Sequence, residues 1–349
     1  MNMRIYHLSH IDLDGYGCQY LLSKTNNNIK YYNANYGPEV KARIDEMLND
    51  IEEDRKTDSD LEQLILITDL NLTTKEGRNL DKARQALGTG LQLLDHHATG
   101  AGADKEFGWY KLDTGRCATM ITYDWLQERY NFDQEGEYKD IVKAINAIDI
   151  WQADDQFFEY GKVMLGMISG AREINRVMFP NQDRGFKFSL IEGAKDRLNT
   201  IDAPIILDEQ LHSIKKEFFL NDKNDTKDNL VANYITKILT AQKENLIINY
   251  RGHRGILTYS VGNTSIIGNA FLVANNDIDF YMDVGSRGNF SLRSNNKLDV
   301  SKMAAEIGNG GGHPNASGGK IKEFKDSYVY QDLREFVQNY ININSNPHS

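Results

Sequence analysis

The stretch LQLLDHHATG (Leu91–Gly100) runs from an apolar segment into an aspartate, two adjacent histidines and a polar turn. The chain has only eight histidines in 349 residues, so two side by side demand an explanation. Successive side chains of a strand point to opposite faces. Two neighbouring histidines serve one place only where the strand is giving way to a loop. The stretch therefore predicts a strand over Leu91–His97 whose tip opens into a site.

The same form recurs upstream. RIYHLSH (Arg4–His10), IKYYNA (Ile29–Ala34) and QLILITD (Gln63–Asp69) read as strands. Between them lie GYGCQYLLSK, PEVKARIDEMLNDI and TTKEGRNLDKARQAL, which read as helices, the second opened by Pro38 in its first turn. Apolar strands alternating with helices predict an α/β domain with a mostly parallel sheet and helices on both faces.

From Thr114 to about Arg197 the pattern is helical, with Phe157–Phe179 reading as one long segment. Leu207–Ile248 reads as long helices broken by the polar NDKNDTKDN. Beyond Arg251, GILTYSV, DIDFYMDVG and NFSLRS read as strands, and SIIGNAFLVANN and DVSKMAAEIGNG as helices, the latter with Asp299 as N-cap and Gly308 near its end. These patterns predict a first domain over 1–196, a helical connector over 197–250 and a smaller C-terminal α/β domain over 251–349.

A net charge of −10 argues against a broad basic surface for long duplex nucleic acid. It leaves room for a small anionic ligand held by cations and a few arginines. Cys18 and Cys117 form no C-x-x-C pair, and both read as small buried residues. The N-terminus meets charge at once, and no window has the length and apolarity of a membrane span. A cytoplasmic protein without membrane attachment is the expectation.

Side chains able to hold metal collect at the predicted strand ends, where ligands bind in open α/β sheets. His10, Asp12 and Asp14 follow the first strand in HIDLDG, and Asp69 ends the third in TDLN. Asp95, His96 and His97 follow the fourth, and Asp149 closes a later helix in NAIDIW. Taken singly these are ordinary: a D-x-D-G is common turn chemistry, and a lone aspartate caps a helix or faces solvent. His7, inside a strand, reads as a core residue. Together, five or six carboxylates and imidazoles exceed the needs of one ion. They suit two Mn²⁺, Fe²⁺ or Zn²⁺ ions about 3.5–4 Å apart, the first being the expected pair. Such a pair activates water for in-line attack on phosphorus.

HIDLDG, TDLN, DHH and Asp149 resemble, in order, the four motifs of the DHH phosphoesterases. GGGHPNASGG (Gly310–Gly319) resembles the Gly-Gly-Gly-His signature of the C-terminal domain many members carry. The family includes RecJ exonucleases, nanoRNases of the NrnA and NrnB type, cyclic-dinucleotide phosphodiesterases and exopolyphosphatases. The resemblance implies that His10 and Asp12 hold one metal, that Asp14, His96 and Asp149 hold the other, and that Asp69 bridges them. It implies that Asp95 orients a histidine and that His97 meets the scissile phosphate. Many members space the first motif as H-x-x-x-D-x-D; here it is H-x-D-x-D, which secures the two aspartates better than His10.

Glycines let backbone N–H groups approach an anion. Glycine-rich stretches are often flexible loops, but Gly310, Gly311 and Gly312 with His313, Asn315 and Ser317 beside them favour a phosphate cradle. Arg293 reads as a fork for a terminal phosphate, with Ser291 and Ser294 as weaker candidates. Arg116 reads as a second fork or a surface ion pair. The resemblance implies a cleft that admits a short single strand or dinucleotide but no long duplex. The expected reaction is hydrolysis of very short oligonucleotides to mononucleotides. Linear or cyclic dinucleotides, a nucleoside 3′,5′-bisphosphate or polyphosphate are alternative substrates, and a non-catalytic nucleotide-binding regulator is the alternative class. A homodimer is compatible with the sequence.

Overall fold

The computed structural model describes residues 3–221 and 224–345. Two compact units divide them. The first comprises the chain up to Ala171 together with Arg184–Ile214, the second Arg172–Asp183 together with the chain from Lys215 onward. Residues 197–250, read in the sequence as a connector, are thus shared between the units.

The first unit alternates β1 (Met3–Ser9), α1 (Leu13–Ser23), β2 (Asn28–Asn33), α2 (Pro38–Thr57), β3 (Glu62–Thr68), α3 (Thr74–Ala86), β4 (Gly90–Asp95), α4 (Ala101–Glu106) and β5 (Tyr110–Leu112). The helices α5 (Ala118–Tyr130), α6 (Lys139–Asp149) and α7 (Phe158–Ser169) follow. Every strand pairing in its sheet is parallel, in the order β2-β1-β3-β4-β5. The chain turns back between β1 and β3, so the carboxyl ends of these two strands flank the point where an open α/β sheet leaves a crevice. The apolar run of β3 is explained by burial on both faces. Ile65 and Ile67 pack with Tyr6, Leu8 and Leu93 against Val40, Met47 and Ile51 of α2 and Leu80 of α3. α1 packs on α5 and α6.

The single helix predicted over Phe157–Phe179 is two. α7 ends at Gly170, and α8 (Pro180–Lys195) starts on a proline, whose missing N–H costs nothing in a first turn. From Arg172 the segment between them belongs to the second unit, within which Glu173 pairs with Lys215 and Lys227, and Met178 Sδ accepts the Tyr259 N–H at 3.1 Å. α9 (Ala203–Phe219) then carries the chain across the division.

The second unit contains α10 (Lys227–Ala241), α11 (Lys243–Leu246), β6 (Ile247–Tyr250), β7 (His253–Tyr259), α12 (Thr264–Ala274), β8 (Phe280–Val284), β9 (Asn289–Ser294), α13 (Val300–Gly308), β10 (Gly311–His313), β11 (Ala316–Lys320) and α14 (Tyr330–Asn344). Its mixed sheet runs β10-β11-β9-β8-β7-β6. β6 replaces the end of a predicted helix, because Ile248 and Tyr250 alternate into the core while Asn249 points out. The glycine-rich stretch, expected as a loop, is the β10–β11 hairpin. It is ordered by antiparallel pairing with β9, where Ser317 opposes Leu292 and Gly318 opposes Ser291.

Candidate metal centre

Each strand tip delivers its side chains by a different local device. Asp12 caps α1: its Oδ1 accepts the Gly15 N–H at 3.0 Å, which leaves Oδ2 free to lie 2.9 Å from His10 Nδ1. Gly15 is required here, since a Cβ would stand 2.4 Å from the His10 carbonyl oxygen. Asp14, two residues on, is buried. Its two oxygens accept the N–H groups of Ala118 and Thr119, each at 2.7 Å, at the N-terminus of α5, which fixes the carboxylate's orientation. Cys117, buried as expected, is the N-cap of that helix.

Asp69 follows β3 with φ 56°, a left-handed backbone that aspartate tolerates better than most residues. Its amide donates to the Leu94 carbonyl, tying the turn to β4. β4 ends at Asp95, so His96 and His97 lie beyond the strand, as their adjacency requires. Asp149 is the last residue of α6.

These side chains converge. Asp69 Oδ2 lies 3.6 Å from His10 Nδ1, and Asp69 Oδ1 lies 3.4 Å from His96 Nε2. The same His96 nitrogen lies 3.7 Å from Asp14 and 3.5 Å from Asp149. The donors form the sets His10–Asp12–Asp69, Asp14–His96–Asp149 and Asp69–His96–His97, each tight enough for one ion. Asp69 belongs to two of the three sets, with Oδ2 toward His10 and Oδ1 toward His96.

The donor chemistry fits divalent cations. Asp69 Oδ2 and His10 Nδ1 are buried and, among the described residues, lack a well-aligned hydrogen bond, their close contacts being the ion pairs of His10 with Asp12 and Asp69. Buried polar atoms in that state are costly and call for a partner. Burial and the charges of Asp14 and Asp12 push the Asp69 carboxyl well above the carboxylate range. Burial, with Asp14 the next cause, pushes Asp149 up to about 8, against the opposing pull of His96. His10 moves the other way, to about 10: burial opposes its charge, but Asp12 and Asp69 outweigh it. A cation among these oxygens and imidazoles relieves the repulsion that the protein alone leaves in place.

His97 faces away from this crowd of donors on its Nδ1 side, which lies 2.6 Å from Asp95 Oδ1. Asp95 Oδ2 accepts the Tyr110 hydroxyl at 2.7 Å. The carboxylate therefore accepts a hydrogen bond from the Nδ1–H, which leaves Nε2 as acceptor, 2.8 Å from the Tyr36 hydroxyl. Tyr36 also lies over His10, with ring centroids 4.6 Å apart. Behind the centre, Asn33 donates to the His10 carbonyl and accepts from the buried Arg184. Sequence patterning does not single out Tyr36, Tyr110, Asn33 or Arg184, because each acts through a fold neighbour rather than a motif.

Arg116 has its Nε 2.8 Å from Asp113 and its Nη1 on Asp124, so its guanidinium is already engaged by two carboxylates. In the second unit Arg293 bonds the Leu292 carbonyl and the Ser265 hydroxyl. Gly311, Gly312 and His313 are exposed on β10, while the Gly310 N–H donates to the Ala304 carbonyl. Asn315 exchanges hydrogen bonds with Asn296, and the Ser317 hydroxyl donates to the Val300 carbonyl. The last two side chains fasten the hairpin to its own unit rather than lining an open cradle. Ser294 likewise donates to the Asp279 carbonyl.

Residues 264–343 match the family model described as the DHHA1 domain. The chain is 42% identical to a Helicobacter pylori (strain ATCC 700392 / 26695) protein named 3′,5′-cyclic-nucleotide phosphodiesterase, over 97% of this chain and 99% of that one. It is similar to the crystal structure of an uncharacterized protein from Helicobacter pylori G27, at 41% identity and a TM-score of 0.90, over 98% of this chain and 99% of the other. No helix among the described residues is long and apolar enough to cross a membrane.

Proposed function

The chain belongs to the DHH phosphoesterase family and is a phosphoesterase hydrolase; from that premise we propose that it hydrolyses the 3′,5′-phosphodiester of small nucleotides with the help of two divalent cations, Mn²⁺ foremost. The observation that carries this reading is the position of Asp69, with one oxygen toward His10 and the other toward His96. A 3′,5′-cyclic nucleotide is the first substrate to test, given the name of the relative. Short oligonucleotides, which present the same diester, are the second reading, carried by the order of the sequence motifs. A long duplex is not expected.

His10 and Asp12 would hold one cation, Asp14, His96 and Asp149 the other, and Asp69 would touch both. Cations so held supply Lewis-acid stabilisation of phosphoryl charge and lower the pKa of water. The chain's own residues do the rest. Asp95, braced by Tyr110, fixes the ring of His97 and its tautomer. His97 Nε2, an acceptor at rest, would take up the proton released by the attacking water and pass it to the leaving O3′, and the Tyr36 hydroxyl donates to it beforehand. In the net reaction the water oxygen bonds to phosphorus, the bond from phosphorus to O3′ breaks, and O3′ leaves as a hydroxyl. His313 and the backbone of Gly311 and Gly312 are the candidates for phosphate contact; Arg116 and Arg293 would have to give up present partners to join them, and Asn315 and the Gly310 N–H are already used within the hairpin's own unit. The exposure of β10 supports His313 and the glycines best.

The test is turnover of 3′,5′-cyclic AMP and GMP, linear and cyclic dinucleotides, RNAs of two to five nucleotides and polyphosphate, each with Mn²⁺, with products identified. Release of 5′-mononucleotide from a nucleotide diester supports the reading. Activity confined to polyphosphate overturns it.

A further inference from the structure

Beside the carboxylates of the metal centre, and within the same unit, lies a slot of about 220 Å³. Its rim is Asp12, Asp14 and Asp149; its walls are Leu13, Ile145, Ile148, Leu165 and Trp151. The floor is ordinary core, since Leu13, Ile145 and Ile148 are buried. Trp151 is not ordinary. Its side chain is 68% exposed, although it stands two residues after Asp149 at the end of α6.

Its backbone is also out of place. Trp151 has φ 56°, a left-handed conformation that a bulky residue adopts only under constraint and that glycine or asparagine adopts readily. Its amide donates to the Ile148 carbonyl and its carbonyl accepts from Ala153, so the turn is tightly closed. One edge of the indole is fixed against the buried Phe158, ring centroids 5.2 Å apart at 81°. The fold thus holds a large aromatic face open to solvent, in a strained turn, at the mouth of an apolar slot. Strain of this kind collects where function demands it.

We propose that Trp151 and this slot form a nucleobase subsite, in which the base of the substrate stacks on the indole while its phosphate is held at the carboxylate rim. The proposal rests on the phosphodiesterase reading and deepens it. A nucleotide is the ligand class that joins a flat apolar body to a phosphate by a short link, and the slot offers an apolar aromatic wall directly beside carboxylates that would hold phosphate-binding cations. Base stacking on an aromatic side chain tolerates any base, because each has a π face. The subsite therefore favours possession of a base over its identity, with purines modestly ahead by stacking area.

Three measurements together decide this. With Mg²⁺ present, 5′-AMP should quench tryptophan fluorescence while ribose 5-phosphate, which has no base, should not, and 5′-AMP should bind on the order of 10- to 100-fold more tightly. Trp151→Asn should raise KM for a nucleotide diester by a similar factor and abolish the quenching difference, with a smaller effect on kcat. Because asparagine suits the left-handed backbone, this variant should melt no lower than wild type, and Trp151→Gly should behave alike. A structural tryptophan would instead lower the melting temperature in both variants and leave KM unchanged. If wild type hydrolyses nucleotide diesters while Trp151→Asn keeps KM within twofold, the subsite is wrong and the phosphodiesterase reading stands. If wild type hydrolyses none of them, the underlying reading falls, and the subsite with it.

Discussion

His97 Nδ1 lies 2.6 Å from Asp95 Oδ1, so the second histidine of the DHH run is held by the aspartate that opens it. Two residues of separation place both at the end of β4, where the strand has stopped and the backbone can fold the imidazole back. Its neighbour His96 turns instead to Asp14, Asp69 and Asp149. One turn thus sends two adjacent imidazoles to different partners, which is what the proposed split between metal binding and substrate chemistry requires.

This division predicts separable losses. His97→Ala should lower kcat by about 10²- to 10⁴-fold, the range for a positioned acid–base group. Metal content, measured by elemental analysis after gel filtration, should stay at the wild-type value. His96→Ala should lose metal as well as rate. Equal metal loss in both variants would contradict the assignment.

The support behind His97 is also testable. A Cβ at Gly100 would stand 2.1 Å from the Tyr110 hydroxyl and 3.2 Å from Asp95 Oδ2. Gly100→Ala should therefore push Tyr110 away and loosen Asp95. Tyr110→Phe removes the hydroxyl alone. Both should cost about 10- to 100-fold in kcat, the usual effect of losing an outer partner of a functional histidine, with Gly100→Ala the larger. Retention of full rate in Tyr110→Phe would show that Asp95 needs no brace.

Cation binding should release protons. In the metal-free protein Asp69 and Asp149 are held toward their protonated forms and His10 toward its charged form. Ligands must shed those protons to bind metal, so affinity for Mn²⁺ should rise as pH goes from 6 to 8. Calorimetry in buffers of different ionisation enthalpy reads the released protons directly. The sign for stability follows from the same shift. A carboxyl whose folded pKa is raised holds a proton that the unfolded chain has lost, so between about pH 4 and 8 Asp149 makes the metal-free protein less stable as pH rises. Chelator should lower the melting temperature more at pH 8 than at pH 6.

His7 gives the opposite slope and lies outside the donor sets. It is buried, bonded through Nε2 to Thr68 at 2.9 Å, and burial with the nearby Arg184 charge lowers it to about 3. The unfolded chain takes up a proton near pH 6.5 that the folded one refuses. Stability is thus lost as pH falls from about 6.5 toward 3, at up to about 1.4 kcal/mol per pH unit. His7→Gln should flatten that part of the urea-unfolding profile. An unchanged slope would mean His7 is protonated in the fold.

Much of this was legible in the sequence, for physical reasons that differ by residue. The parallel sheet is written in the apolar runs of β1, β3 and β4, because burial on both faces leaves no polar alternation to confuse. Asp12, Asp14, Asp69 and His96 are legible because strand tips concentrate them, whereas Asp149 ends a helix and stands out only in company with the others. The break at Gly170 is harder to see: the apolar run continues through it to Phe179, and the ties of Glu173 to Lys215 and Lys227 are distant in sequence. The β10–β11 hairpin hides behind glycine, which carries no side-chain period. Tyr36 reaches His97 from the segment after β2, across 61 residues, and only the fold connects them.

The central claim is that Asp69 stands between two cations. Its most direct test is anomalous scattering at the manganese edge from crystals grown with Mn²⁺, for wild type and Asp69→Asn, a change that suits the left-handed backbone and alters the carboxylate alone. The account predicts two peaks in wild type, one beside His10 and Asp12 and one beside Asp14, His96 and Asp149, with at least one lost in the variant and kcat reduced on the order of 10³-fold. A single peak in wild type, or two that survive unchanged in Asp69→Asn, would contradict it.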